Sequence, residues 1–128
     1  MTTLFSFDQF LPQPAVCELK NPATDKPLLD DKKKPIWVKL VGLDTEQFFK
    51  ASLENTKRKK ELGEQANEPG YGLIERAHFL SALITDWHPA LGLCTPEAVF
   101  DKFSKFNYAP YAEQVEAFAS ERANFFPE

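Results

Sequence analysis

The sequence predicts a small, mainly helical α+β domain, with an N-terminal β-hairpin followed by about four helices packed together. Three observations carry this expectation. Residues 15–43 contain two strand-like runs, AVCELK and IWVKLVGL, rich in β-branched and aromatic residues. From residue 44 onward the apolar residues recur at helical spacing. A chain of 128 residues, 43% of them hydrophobic, is large enough to close one core rather than stay disordered.

Residues 1–14 form an aromatic arm in which polar residues separate the apolar groups Leu4-Phe5, Phe7 and Phe10-Leu11, and Pro12 and Pro14 close the segment. Ser6 followed by Gln9 fits the cap of a single helical turn. The arm either packs on its own domain or docks on a neighbouring subunit, because a terminus is ordered only when tied down. Residues 15–128 form the domain proper. Within its hairpin, the connection NPATDKPLLDDKKKP is rich in Pro, Asp and Lys, so a long mobile turn is expected. In IWVKLV one face (Ile36, Val38, Leu40) is apolar and the other is mixed, which predicts a sheet covered on one side.

The helical part, 44–128, begins with Asp44 and Gln47 placed as a capping box. That helix is expected to send Phe48, Phe49 and Leu53 inward and to end in the basic run Lys57, Arg58, Lys59, Lys60, where cations suit the helix dipole. A second helix is expected from about Leu73 to Trp87, with a stripe of Leu73, Ala77, Leu80, Ile84 and Trp87, widened by Ile74 and Leu83 and stopped by Pro89. Thr95-Pro96-Glu97 is a cap, a proline at the first helical position and an acid in the first turn. The helix it starts should show Val99, Phe100, Phe103 and Phe106 on one side. A last helix begins near Pro110, with Tyr111, Val115, Phe118, Arg122 and Phe125 on one face and Phe126 just beyond.

Several function classes lose support on chemistry. The net charge of −4 and two short basic clusters, Lys32–Lys34 and residues 57–60, argue against nucleic acid as a partner. No apolar run reaches the length of a membrane span. The N-terminal sequence lacks the early positive charge of a secretory signal. Cys17 and Cys94, without a CxxC or a histidine pair nearby, read as reduced cysteines. There is no GxSxG, P-loop or GxGxxG. His78 and His88 have the wrong spacing for a metalloprotease motif, and Asp30-Asp31 fall in the expected mobile turn. The expectation is no enzyme, no cofactor and no metal, with Asp86 and His88 as exposed residues at a helix end.

What remains is a protein-binding module, and its 12 phenylalanines supply candidate contacts: Phe5, Phe7 and Phe10 on the arm and Phe118, Phe125 and Phe126 near the C-terminus, together with the basic residues Lys57, Arg58, Lys59 and Lys60. The order of three segments resembles the tail assembly chaperones of long-tailed (siphovirus-type, lambda-like) bacteriophages. NPATDKPL (21–28), a strand, then VGLDTEQFFKA (41–51) is similar to that family's Asn/Asp-Pro-Ala-Thr-Gly-x-Pro-Leu turn, strand and Gly-x-Asp-Ser helix start. LITDWHPALGLCTPEAVFDKF (83–103) is similar to its Val-x-x-Trp, loop, Thr/Ser-Pro-Glu-Asn segment. SERANFF (120–126) is similar to its closing helix. The chain departs from the pattern at Asp25, where the family often has glycine, and at His88-Pro89.

The resemblance implies a protein of the host bacterial cytoplasm that binds the tape measure protein and keeps it soluble while tail tube subunits polymerise round it. It also implies absence from the mature virion, contact with the major tail tube protein, self-association, and a longer form made by ribosomal frameshifting. Asn124-Phe125-Phe126 can be encoded AAU-UUU-UUC, which contains a heptamer able to slip back one base. The alternative within the same setting is another morphogenesis factor, such as a tail adaptor or a minor tail structural protein.

Overall fold

The computed structural model describes residues 4–127, so residues 1–3 of the arm and the final Glu128 lie outside the described residues. The expected class holds: a three-stranded antiparallel sheet lies with four α-helices in a small, mainly helical α+β domain. The strands are β1 (Ala15–Glu18), β2 (Trp37–Leu40) and β3 (Ile84–Trp87), in the order β1-β2-β3. The helices are α1 (Glu46–Leu62), α2 (Tyr71–Leu83), α3 (Pro96–Phe103) and α4 (Ala109–Ala119).

β3 corrects the expected second helix. α2 ends at Leu83, and residues 84–87 turn extended and pair with β2, so the hairpin gains a third strand. Val38 lies opposite Trp87 and Leu40 opposite Ile84, with a register shift between them. That bulge puts both Ile84 and Trp87 on the buried face although they are three residues apart. A bulged strand therefore imitates the helical spacing that predicted a longer helix.

Cys17, Val38, Leu40, Ile84 and Trp87 turn the inner face of the sheet toward the helices, while Val16, Glu18 and Lys39 face out. One covered face is what the alternation in IWVKLV predicts. α2 is the central helix. It packs against α1, α3 and α4, and buries Ala77, Leu80 and Leu83. Trp87 meets Phe103 edge-on at 6.5 Å and donates its indole N–H to the Gly92 carbonyl at 2.7 Å. The ring is thus buried with its one polar group satisfied.

Thr95 caps α3 as expected, accepting the Ala98 N–H at 3.1 Å, with Pro96 at the first helical position. The α1 start is shifted by one residue from the expected capping box. Thr45 is the cap, accepting the Phe48 N–H. Asp44 instead forms a two-point ion pair with Arg122, both oxygens at 2.9 Å. The last helix also ends early: α4 stops at Ala119, and Arg122–Asn124 form a separate 3-10 turn.

The connection expected to be a mobile turn is instead a ladder of two tight turns. Lys20 bridges Pro27 and Leu29 bridges Pro35. Asn21 accepts the Ala23 N–H, and Asp30 accepts the N–H groups of Lys32 and Lys34 at 2.8 and 2.9 Å. At the start of the ladder, Gln114 of α4 takes the Lys20 N–H and gives its amide to the Lys20 carbonyl. The Asn and Asp side chains replace the missing ladder partners, as such residues do in turns.

Candidate partner-binding surfaces

The arm stays outside the core. Its single turn, Asp8–Phe10, follows Ser6, whose hydroxyl accepts the Asp8 N–H at 3.3 Å. Phe5 meets Phe7 edge-on at 4.9 Å and stacks on Phe10 at 5.5 Å, so the three rings pack mainly on one another. Phe7 is 72% exposed. The arm is anchored at its base, where the Gln13 N–H donates to the Phe125 carbonyl at 2.7 Å.

The C-terminal candidates separate. Phe125 is 4% exposed and belongs to the core, which removes it as a direct contact. Its ring lies under Gly42, where an added Cβ would stand 2.7 Å from Cδ2, and it meets Phe118 edge-on at 5.5 Å. Phe118 is half-buried against that core, and Phe126 stays partly exposed beyond it. The physical reason is the break after Ala119, which folds the tail back over the sheet end instead of continuing an outward helical face.

The basic run lies on the last turns of α1. Lys57, Lys59 and Lys60 are exposed, and the half-buried Arg58 donates to Asn55. Asn55 is a buried polar residue at the α1–α2 contact, and its amide reaches the Glu75 carbonyl at 3.4 Å. Gly63, with φ of 58°, closes the helix by donating to the Lys59 carbonyl.

α1 also corrects an expectation. Phe48 turns inward and stacks on Phe79 at 5.2 Å, but Phe49 and Leu53 face solvent. The inward positions of α1 are Phe48, Ala51 and Asn55, so beyond Phe48 its seam against α2 is built from small and polar groups. Phe49 and Leu53, one turn apart, form an outer apolar stripe. Phe106, expected on the α3 face, is likewise 86% exposed, because α3 ends at Phe103 and Phe106 opens a 3-10 turn.

Between α1, α2 and α4 lies an apolar groove of about 230 Å³. Its walls are Leu43, Phe48, Phe79, Leu83 and Ala119, with Arg76 and Glu116 beside them. The Arg76 side chain is largely buried, and its Nε has no hydrogen-bond partner among the described residues. Its nearest carboxylate oxygen is 4.0 Å away on the exposed Glu113. The sequence offers one sign of this: Arg76 is a lone cation beside the apolar stripe of α2.

His88, expected to be an exposed residue at a helix end, is held on both ring nitrogens. Its Nε2 lies 3.0 Å from Asp30 Oδ2, with both side chains largely buried. The Ala90 N–H donates to Nδ1 at 2.9 Å, so in the neutral ring the proton sits on Nε2 and points at the carboxylate. Asp30 is held below the ordinary carboxylate range, first by the Lys34 N–H, then by Lys32 and His88. Asp86, the other residue of that stretch, accepts the Trp87 N–H at 2.9 Å. His78 packs on Phe100 at 4.5 Å, and burial, then nearby Arg58, lowers its pKa. Burial raises the Cys17 thiol to about 11.

Among the described residues there is no group of three or more His, Cys, Asp or Glu placed to hold a metal ion, and no helix long and apolar enough to cross a membrane. Compared with protein-family models, with characterised proteins and with solved structures, the chain matches none.

Proposed function

We propose that this protein is a tail assembly chaperone of a long-tailed bacteriophage, a non-enzymatic protein that binds the tape measure protein in the host cytoplasm. The observation that carries the reading is how much aromatic and aliphatic surface is left outside a well-closed core: the arm Leu4–Leu11 and the α1 stripe Phe49 and Leu53. A long apolar-faced helical partner needs such a surface, and exposed apolar patches of this kind mark protein contacts. Of the basic residues Lys57, Arg58, Lys59 and Lys60, Lys57 and Lys60 continue the outer α1 face, and the run adds long-range attraction for an acidic partner.

A second feature supports the family resemblance. Asp25 has a φ of 60°, the left-handed conformation that glycine adopts without strain. That is the position where the similar turn of the family often carries glycine. Contact with the major tail tube protein, absence from the virion and a longer form made by slippage at codons 124–126 belong to the same reading. The codons of the gene decide the last of these.

The test is co-expression with the phage's tape measure protein. The expected result is a soluble complex containing both proteins, with this chain missing from purified virions. A tape measure protein whose solubility does not change overturns the proposal. Recovery of this chain as a stoichiometric virion component points instead to a tail adaptor or minor structural protein.

A further inference from the structure

The geometry points to a joint between copies of this chain: the aromatic arm of one copy seats in the α1–α2–α4 groove of another, with Phe7 in the groove and Asp8 on Arg76. Three observations about the arm and the groove lead there, and the charge of Asp8 completes them. The arm presents rings that the domain's own core does not take up, and Phe7 is the most exposed of the three. The groove of about 230 Å³ is apolar, and an apolar cavity of about 150 Å³ already admits a benzene ring, so one phenyl side chain fits. The groove's cation, Arg76, has a buried Nε without an acceptor among the described residues and, among them, only a long contact to Glu113. A buried polar group in that state gains most from a new carboxylate.

Asp8 is the complementary charge. It is the one charged residue between Leu4 and Cys17, and it follows Phe7 directly. Seating the ring therefore brings a carboxylate to the groove wall in the same step. The arm does not fold back into its own groove, since Phe7 remains exposed. Pro12 and Pro14 at the base of the arm make that segment a stiff, extended spacer. Such a spacer favours exchange between molecules over closure within one. The arm is then the joint, and the outer α1 stripe stays free for other partners.

The inference does not rest on the chaperone reading, because the assay contains this chain alone. Sedimentation of the full chain from micromolar to hundreds of micromolar concentration should show association. Asp8→Lys and Arg76→Glu should each weaken it by about tenfold or more. Mixing the two variants should restore it, since each then supplies the charge that the other lacks; closure within one molecule cannot produce that rescue. Phe7→Ala, an exposed position that leaves folding untouched, should weaken association without a change in the melting curve. A wild-type chain that stays monomeric overturns the joint. So does association unchanged by Phe7→Ala, or a mixture of two folded charge variants no more associated than either alone. Circular dichroism on Arg76→Glu checks that it is folded; if it is not, Arg76→Gln takes its place alone, with the same tenfold weakening expected, and an unchanged constant overturns the pair.

Discussion

The seam around Trp87 and the arm around Phe7 use the same kind of residue to opposite ends. Trp87 is 3% exposed, braced by Phe103 and tied by its indole N–H to Gly92. Phe5, Phe7 and Phe10 pack on one another and stay in solvent. The difference lies in what surrounds each ring. Trp87 sits on a strand whose neighbours close over it, whereas among the described residues the arm has a single backbone anchor to the domain, at Gln13, and two prolines that hold it extended. Aromatic content alone does not tell a core from a contact surface.

The largest test of that contrast is Trp87→Ala. It removes a buried ring and leaves the Gly92 carbonyl without its donor, and should cost about 3–5 kcal/mol in denaturant unfolding. A loss under about 1 kcal/mol would mean that the seam is not closed. Gly42→Ala probes the same core from the other end. The new methyl would press on the Phe125 ring, and the expected cost is about 1–3 kcal/mol. A neutral result would place Phe125 on the contact side of the comparison.

His88→Ala lies between the extremes, at about 1–2 kcal/mol, because it strips a partner from Asp30 and the acceptor from the Ala90 N–H. The Asp30 side of this contact gives a pH dependence with a definite sign. The folded Asp30 pKa lies below its ordinary value of 3.8, so the stabilisation from its carboxylate is present above that value and is lost as pH falls through the folded pKa. The difference between wild type and Asp30→Ala should therefore shrink in acid. A gap that stays constant down to strongly acidic solution would show that the carboxylate's charge is not what ties the turn to β3. The smallest expected stability change is Phe7→Ala, within about 0.5 kcal/mol by thermal melting. A larger loss would mean that the arm belongs to the core after all.

Local chemistry was legible in the linear chain wherever a short-range rule governs it. Thr95-Pro96 starts α3, the alternation in IWVKLV marks the buried face of β2, and the Leu80–Leu83 stripe turns α2 inward. Those features depend on neighbours a few residues away. The third strand was not legible, because Ile84 and Trp87 share a face in a helix and in a bulged strand alike, and only pairing with β2 separates the two. Nor were the Asp30–His88 and Asp44–Arg122 pairs, whose partners are 58 and 78 residues apart. The division among the phenylalanines had the same cause. Phe125 is buried because Gly42 leaves room for its ring, Phe49 is exposed because Phe48, Ala51 and Asn55 take the inward side of α1, and Phe7 is exposed because none of the described residues of its own domain covers it. Burial is a property of what the rest of the fold brings alongside, and spacing along the chain carries that information only when the neighbour is local.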